Sequence, residues 1–209
     1  MDKGQSMAGE SEPSLQLQMV WPEHLLDQPP AVHVASGYHL RTYQPGDELR
    51  FYQVMALAGW PGWDDSRLEP WIARIPPGSW FMAVHTASDT IVATAMGLHD
   101  HSAHHPFGGE LGWVAADPAH TGQGLGMAVS AAVTARLLSA GYRNVHLYTE
   151  HWRLAAIKSY LKLGYVPFLY APEMAGRWRD LCAALPWPHT PDAWRTVQRR
   201  ARTADGVST

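Results

Sequence analysis

Residues 114–126, VAADPAHTGQGLG, join an apolar segment to a long amphipathic one and decide the fold of this chain. The Asp-Pro pair at 117–118 ends the first segment, because the residue before a proline favours extended backbone over helix. After the glycines, Leu125, Ala128 and Leu137 lie on one face of a segment with helical periodicity. The sequence here predicts a strand, a glycine-rich turn and a helix.

The glycine-rich turn has the properties of an anion-binding loop. Glycines let backbone N–H groups approach an anion closely, and a helix N-terminus adds unpaired donors and the positive end of its dipole. Three glycines at alternate positions, Gly122, Gly124 and Gly126, exceed what a tight turn without a ligand needs. A pyrophosphate is the predicted ligand of this loop.

Two other phosphate-binding patterns do not fit the turn. The dinucleotide fingerprint needs a small residue three positions after its second glycine, where this chain has Met127 or Val129. The phosphate loop of NTP hydrolases needs Gly-Lys followed by Ser or Thr, and the sequence contains no such run. Neither a dinucleotide nor a nucleoside triphosphate is therefore the predicted ligand.

Hydrophobic periodicity and turn residues predict further strands and helices on both sides of the turn. Strands are predicted at 38–43, 80–85, 90–96, 110–116, 144–149 and 165–170, and helices at 45–57, 66–75, 124–140, 154–163, 172–185 and 191–202. Hairpin strands that lead into β-α-β crossovers give an α/β (α+β) fold. Its centre is a mixed, mostly antiparallel sheet with helices on both faces.

The chain divides into four segments. Residues 1–18 are polar and predict a flexible tail, and residues 19–36 predict an extended arm that packs Trp21 on the body. Residues 37–170 form the predicted domain, and residues 171–209 a C-terminal helical extension and tail.

Composition restricts the partners and the compartment. The 209 residues are 46% apolar and 17% charged, with a formal net charge of −3, which is typical of one globular domain. No long basic run suits a nucleic acid, and no apolar run reaches the length of a membrane span. The single cysteine, Cys182, cannot form an internal disulfide. These features predict a cytoplasmic protein without a nucleic-acid or membrane partner.

The glycine segment resembles the acetyl-CoA-binding motif of the GNAT superfamily of N-acetyltransferases, Arg/Gln-x-x-Gly-x-Gly/Ala after a strand that ends in apolar-x-Pro. Gly124 and Gly126 match its glycines, whereas Thr121 stands where the family has Arg or Gln. The resemblance implies acetyl-CoA as co-substrate, with Thr121 acting through its hydroxyl and backbone or with help from Gln123. The implied cofactor-binding residues are Val114, Ala115, Ala116, Thr121, Gly122, Gln123, Gly124, Leu125, Gly126, Met127 and Arg153.

A second segment, residues 153–165, is similar to the family's Asn-x-x-Ala-x-x-x-Tyr-x-x-x-Gly-Phe helix. Ala156, Tyr160 and Gly164 match that pattern, and Tyr165 replaces Phe. Arg153 takes the place of the Asn that contacts the pantetheine arm in the family. The resemblance covers residues 37–170 and implies the GNAT-like fold for that part of the chain.

The family reaction is direct attack of an amine on the thioester carbonyl in a ternary complex. The resemblance implies Tyr160 as the acid that protonates the leaving thiolate, although the same position suits a core tyrosine. Backbone N–H groups near Ala116 are expected to stabilise the carbonyl oxygen. Glu110 and Glu150 are the candidate bases for the amine, and each equally fits a solvated charge at a strand end.

The acceptor is predicted to be a primary amine on a small molecule or a protein. Trp60 and Trp63 follow the first helix, where the family places its acceptor pocket, and they equally suit core positions under a Pro-Gly loop. Family members often pair, so a homodimer is possible. The alternative function is an acyl-CoA-binding regulatory module with weak or no catalysis, for which the changes at Thr121 and Arg153 leave room.

Four histidines, at positions 99, 101, 104 and 105, lie in one segment with Asp100. Their spacing matches no common structural zinc pattern and no cysteine accompanies them, so no metal site is predicted. A polar loop near the acceptor site is the favoured interpretation.

Overall fold

The computed structural model describes residues 15–196 of the chain. Within these residues, eight strands and five α-helices follow the predicted order between residues 38 and 185, with an additional strand at each end and no α-helix at 191–196. The strands are β1 (Leu17–Val20), β2 (Tyr38–Thr42), β3 (Trp80–His85), β4 (Thr90–Asp100), β5 (Gly108–Ala116), β6 (Val145–Thr149), β7 (Val166–Leu169) and β8 (Arg195–Thr196). The helices are α1 (Glu48–Leu57), α2 (Asp65–Ile72), α3 (Leu125–Ser139), α4 (Leu154–Leu163) and α5 (Met174–Ala184).

All eight strands belong to one sheet with the order β2-β3-β4-β5-β6-β1-β7-β8. Only the β5–β6 and β7–β8 pairs are parallel, and every other neighbouring pair is antiparallel. The prediction of a mixed, mostly antiparallel sheet is therefore confirmed.

Helices cover both faces of the sheet. Successive residues of a strand point to opposite sides, so each face carries its own set of apolar side chains. On β3, Ala83 packs with α3, α4 and α5 in one apolar core, whereas Met82 and Val84 pack with α1 and α2 in another. Trp178 of α5 and Phe51 of α1 are both fully buried, one in each core. The two cores hold the sheet rigid between them.

The expectation of a flexible tail up to residue 18 is wrong, because the first strand of the sheet begins within it. Residues 17–18 of the expected tail and 19–20 of the expected arm form β1, which lies between β6 and β7 inside the sheet. Its polar residue Gln18 is 7% exposed, and its amide oxygen lies 2.8 Å from His105 Nε2. A buried hydrogen bond therefore explains a polar side chain that the sequence pattern assigned to solvent. Residues 1–14 of the expected tail lie outside the described residues.

In the rest of the expected arm, Trp21, Leu25 and Leu26 pack on the body, whereas residues 27–36 are mostly exposed. Trp21 is 4% exposed, and its ring makes an edge contact with Tyr165. Leu25 and Leu26 are partly buried against the same core. This segment seals the edge of the core beside β6 and β7.

Two further boundaries differ from the prediction. β4 extends to Asp100 and β5 begins at Gly108, so the expected loop at 99–109 is shorter. The expected helix at 191–202 begins instead as a 3₁₀ turn, Pro191–Ala193, followed by β8. Residues 197–202 of that prediction lie outside the described residues. Residues 195–196 form β8 because their backbone pairs with β7, a long-range contact that the local sequence does not reveal.

Gly108 permits the close approach of β4, β5 and β6. A Cβ atom at this position would lie 2.5 Å from the Asp100 carbonyl oxygen and 2.6 Å from His146 Cε1. Only glycine fits between these atoms without a shift of the backbone. None of the helices between residues 15 and 196 has the length and apolar character that a bilayer crossing requires.

Replacing Gly108 with alanine is expected to lower the free energy of unfolding by about 2 kcal/mol, because the new methyl group overlaps a carbonyl oxygen. The matched control is Gly176→Ala in α5, where a Cβ meets nothing within 4 Å. That change is expected to be neutral or slightly stabilising, since alanine favours helix. Urea unfolding of both variants measures the difference. Equal stability of the two variants contradicts the close packing at Gly108.

Candidate active site

A cleft opens where the parallel strands β5 and β6 separate. The two strands pair only at Gly109 with Val145 and at Glu110 with His146. From Leu111 onward, no strand of the described chain pairs with β5 on that side. The resulting cleft has a volume of about 390 Å³. Its walls carry Gln16, Trp60, Trp71, Arg74, Asp100, Glu110, Leu111, Gly112, Trp113, Val114, Tyr148, Thr149, Glu150, Arg153, Ala156 and Tyr160.

A β-bulge in β5 lies on the wall of this cleft. The register with β4 changes between Thr94 and Met96, so that Trp113 and Val114 together oppose Ala95. Trp113 has φ of 50°, a conformation that a bulky residue adopts only when its surroundings hold it there. The bulge interrupts the ladder and turns the backbone of β5 at the cleft.

The interruption lies earlier than expected. Ala115 and Ala116 pair regularly with Thr94 and Ala93, whereas Val114 lies in the bulge and lines the cleft. The expectation of carbonyl-binding N–H groups near Ala116 stays a prediction, because these pairs lie on the β4 side of the strand and not on the open side. In the bulge, the disturbed ladder leaves backbone donors that a regular strand would use.

The glycine-rich loop connects β5 to α3 and presents unpaired donors. Gly122 and Gly124 have φ of 84° and 70°, in the left-handed region that glycine adopts without strain. No hydrogen bond of the described residues uses the backbone N–H groups of residues 122–127, and no side chain caps α3. A Cβ at Gly122, Gly124 or Gly126 would meet nothing within 4 Å. Open space and six free donors make this a cradle that fits a diphosphate.

An ion pair anchors the turn before the loop. Arg50 Nη2 of α1 lies 2.9 Å from Asp117 Oδ2, and Asp117 Oδ1 accepts the backbone N–H of Ala119 at 3.0 Å. Arg50 Nε also donates to the carbonyl of Ile91 at 2.7 Å. These contacts, which the sequence analysis did not identify, fix the loop to α1 and β4.

Thr121 and Leu125 contribute differently from the glycines. The hydroxyl of Thr121 donates to the carbonyl of Pro118 at 2.7 Å, and its backbone N–H donates to the same oxygen at 3.2 Å. Both donors of Thr121 are thus already used. The side chain of Leu125 is 3% exposed and belongs to the core, so it can face a ligand only through its backbone. Gln123 is exposed beside them.

Tyr160 lies on α4 and faces the cleft. It is 7% exposed, and its ring makes an edge contact with Tyr165. Burial raises the pKa of Tyr160 to about 12, while the positive charge of Arg153 opposes that rise. The phenol is therefore protonated at neutral pH and available as a donor.

Glu110 lies at the closed end of the cleft, where the two strands still pair. Its side chain is 14% exposed, and Oε2 lies 3.3 Å from Arg74 Nη2. Burial, with a further contribution from the negative charge of Asp100, raises the pKa of Glu110 to about 7. A carboxylate with this pKa can take a proton near neutral pH, which suits a general base. Arg74 and Asp100 were not predicted as site residues.

Glu150 and Arg153 form the rim of the cleft. Glu150 Oε1 accepts a hydrogen bond from Gln16 Nε2 at 2.7 Å. The guanidinium of Arg153 lies between two indole rings, 4.1 Å from the centroid of Trp60 and 4.3 Å from that of Trp152. Its Nε is buried without a hydrogen-bond partner among the described residues. Arg153 thus lines the cleft with its guanidinium held between the two indole rings.

The two predicted acceptor tryptophans have different positions. Trp60 lines the cleft, whereas Trp63 is 6% exposed and packs against Phe51 in the core. Core packing is the alternative that the sequence left open for Trp63. The rings of Trp60, Trp63 and Trp71 all make edge contacts with Trp113, at centroid distances of 5.7, 4.7 and 4.9 Å. Trp71 and Trp113 are cleft residues that the sequence analysis missed.

The histidines of the 99–105 segment have separate surroundings. His105 is fully buried and stacks on His146, with ring centroids 3.7 Å apart, whereas His99 Nδ1 lies 3.2 Å from the Tyr142 hydroxyl. His101 accepts the backbone N–H of Phe107 at 3.2 Å. Between residues 15 and 196, no group of three or more His, Cys, Asp or Glu side chains is arranged to hold a metal ion.

Comparison with known proteins agrees with this geometry. The model of the acetyltransferase (GNAT) family matches residues 47–165, which is more than half of the chain. The solved structure of a GCN5-related N-acetyltransferase from Sphaerobacter thermophilus superimposes with a TM-score of 0.59 at 28% identity, covering 73% of this chain and 48% of that one.

Curated relatives give the same family. A mycothiol acetyltransferase from Mycobacterium sp. (strain JLS) is 37% identical over 156 residues, which are 68% of this chain and 49% of that protein. A mycothiol acetyltransferase from Nocardia farcinica is 34% identical over 151 residues, which are 67% and 49% of the two chains. The chain thus spans about half the length of the curated relatives that it matches. Together with the family model and the fold, these matches show that the chain belongs to the GNAT acetyltransferase family.

Proposed function

We propose that this protein is an N-acetyltransferase that moves an acetyl group from acetyl-CoA to a primary amine by direct attack in a ternary complex. The observation that carries the proposal is the single cleft between β5 and β6. One end of that cleft holds a carboxylate with a raised pKa, Glu110, and one wall holds a buried phenol, Tyr160. The glycine-rich loop follows the other end of β5, where the cleft is open.

The glycine-rich loop binds the diphosphate of acetyl-CoA in this proposal. The N–H groups of residues 122–127 and the N-terminus of α3 meet the phosphates, and no cation of the loop is needed. Gln123 takes the supporting role that the family gives to Arg or Gln at the position of Thr121. The pantetheine arm enters the cleft along the bulged part of β5, past Val114, and Arg153 lines the same cleft.

Acetyl transfer then requires two proton movements. The amine nitrogen attacks the thioester carbon, and its proton passes to Glu110 directly or through a water. Backbone donors at the bulge stabilise the oxygen that becomes negative. The C–S bond breaks, and the thiolate takes a proton from the Tyr160 hydroxyl, which leaves CoA as the free thiol and Tyr160 as the phenolate. Glu150 is a weaker candidate base, because its Oε1 is engaged by Gln16.

The acceptor binds between the tryptophans and Glu110. Indole faces at Trp60 and Trp71 suit the apolar part of an amine, and the Glu110 and Glu150 carboxylates suit its charge before deprotonation. The names of the relatives give one specific acceptor to test first, a mycothiol-related amine. A panel of small amines and peptide N-termini completes the test.

An acyl-CoA-binding regulatory module is the second candidate. It is favoured by Thr121, which replaces the Arg or Gln of the family and already uses its hydroxyl and N–H on Pro118. Binding of acetyl-CoA without turnover of any amine distinguishes it from the enzyme. We further propose that the protein works in the cytoplasm, where acetyl-CoA is available and the free Cys182 stays reduced.

A glutamate at Gly126 is expected to abolish acetyl-CoA binding without harming the fold. A Cβ at this position meets no protein atom, and an acidic residue in the first turn favours the helix. The added carboxylate instead repels the phosphates, so the affinity falls by more than about 100-fold. Isothermal titration measures the affinity.

The matched control for that variant is Gly176→Glu, which places the same side chain in the first turn of α5. Its Cβ also meets nothing within 4 Å. It is expected to bind acetyl-CoA like the unchanged protein. Normal binding by the Gly126 variant contradicts the placement of the diphosphate at this loop.

Replacing Tyr160 with phenylalanine is expected to lower kcat by about 100-fold with little change in KM for acetyl-CoA, because only the proton for the leaving thiolate is lost. Release of free thiol measures the rate. The control is Tyr165→Phe, whose hydroxyl bonds Thr134 at 2.8 Å inside the core. That variant loses stability rather than kcat. Similar kcat values in the two variants argue against an acid role for Tyr160.

The pH dependence of kcat/KM reports the base. Since Glu110 must be deprotonated and its pKa is about 7, the rate is expected to rise with pH up to about 7 before any amine ionisation adds its own limb. Glu110→Gln is expected to remove this limb and lower kcat/KM by about 100-fold. Glu150→Gln serves as the comparison. A larger loss of kcat/KM in Glu150→Gln than in Glu110→Gln assigns the base to Glu150 instead.

A further inference from the structure

We infer that Asp100 is a positioning residue of the acceptor cleft: its carboxylate holds the Arg74 guanidinium back from Glu110 and so keeps the Glu110 carboxylate free to accept a proton. The inference deepens the proposed function and rests on it only for the role of Glu110. Asp100 lies at the end of β4, next to the closed end of the cleft.

One nitrogen of Arg74 serves both carboxylates. Arg74 Nη2 lies 2.9 Å from Asp100 Oδ1 but 3.3 Å from Glu110 Oε2, so the hydrogen bond to Asp100 is the closer of the two. The rest of the guanidinium is fixed elsewhere, since Nε donates to the carbonyl of His99 at 3.1 Å and the group lies 4.9 Å from the Trp71 ring centroid. Arg74 is thus held in a position that only partly neutralises Glu110.

Asp100 is itself held from the opposite side. Its Oδ2 accepts hydrogen bonds from His146 Nε2 at 3.0 Å and from the Tyr148 hydroxyl at 3.2 Å. His146 is fully buried and stacked on His105, and burial lowers the pKa of both rings, that of His105 to about 4. A neutral His146 has one N–H to give, and the contact with the carboxylate places it on Nε2.

The charges around Glu110 decide the direction in which its pKa changes when the charge of Asp100 is lost. Tyr148 stays neutral because burial raises its pKa to about 12, and His146 stays neutral as well. Glu150 and Arg153 lie at the rim of the same cleft. Among the described residues, Arg74 is the only cation within 4 Å of the Glu110 carboxylate. Loss of the Asp100 charge therefore lets Arg74 move fully onto Glu110, which weakens Glu110 as a base.

The test is a carbon-13 NMR titration of the glutamate carboxyl groups, with the Glu110 signal identified by its loss in Glu110→Gln. Asp100→Asn is expected to lower the titration midpoint of Glu110 by about one pH unit. Arg74→Gln is expected to raise it, because the only nearby cation is removed. Opening of the cleft to water through structural damage would instead lower the midpoint in both variants.

Two further variants complete the design. Asp180→Asn is the matched control, since Asp180 is 72% exposed and pairs with Arg179 away from the cleft, and it is expected to leave the midpoint unchanged. Tyr148→Phe removes one of the two donors to Asp100 Oδ2 and is expected to lower the midpoint by less than Asp100→Asn does. It carries the test if Asp100→Asn fails to fold.

Kinetics separate this inference from the proposed function. With an active acceptor, the acidic limb of kcat/KM is expected to follow the NMR midpoints, downward in Asp100→Asn and upward in Arg74→Gln. Opposite NMR shifts without acetylation of any amine support the inference and count against the proposed function. An unchanged midpoint in folded Asp100→Asn, or shifts of the same sign in the Asp100 and Arg74 variants, overturns the inference.

Discussion

The separation of β5 from β6 is the constraint on which the rest of this molecule depends. Two parallel strands that begin as neighbours stop pairing after Glu110, although each continues for several residues. At the joined end, glycine at position 108 lets β5 lie against Asp100 and the ring of His146. At the open end, the positive φ of Trp113 turns the backbone, and three other tryptophans pack around its ring. The strands are thus held together at one end and kept apart at the other.

The site follows from that separation. Because β5 and β6 are parallel, the helices that follow them, α3 and α4, both begin at the open edge of the sheet. One helix brings unpaired N–H groups at its N-terminus, and the other brings Tyr160 into the cleft wall. The closed end holds Glu110 in a poorly hydrated position, where burial raises its pKa. The groups proposed for anion binding, proton donation and proton acceptance are therefore distributed along one groove by the topology of the sheet.

The polar groups below the cleft form a continuous set that runs from partly exposed to fully buried side chains. Hydrogen bonds run from Glu110 through Arg74 to Asp100 and on to His146. The stacked His105 then reaches Gln18 of β1 at 2.8 Å. A polar residue on the first strand is thus linked to the carboxylate at the closed end of the cleft. Such a network is stable inside a protein only when its members satisfy one another, which ties the position of β1 to the electrostatics of the site.

The elements with strong periodicity were predictable from the chain itself. The helix after the glycine-rich turn and the helix that carries Tyr160 have apolar stripes and glycines at their C-terminal ends, so their positions follow from local physics. The four-residue strand β1 was not predictable. All four of its residues are buried because β6 and β7 lie on either side of it, and its own sequence pattern does not indicate this burial. Trp60 and Trp63 show the same limit, since two tryptophans three residues apart differ only in which neighbours surround them.

The sequence by itself determined the glycine-rich loop, the order of strands and helices between residues 38 and 170, and the candidate phenol and carboxylates, because each depends on residue type and spacing along the chain. Only the tertiary structure decided which carboxylate is buried at the closed end of the cleft and which is engaged at the rim. It also decided that Arg74 and Asp100 flank Glu110, since residues 74, 100 and 110 meet only when α2, β4 and β5 are packed together. Proton affinity depends on burial and on neighbouring charge, and both are properties of the packed molecule and not of the chain.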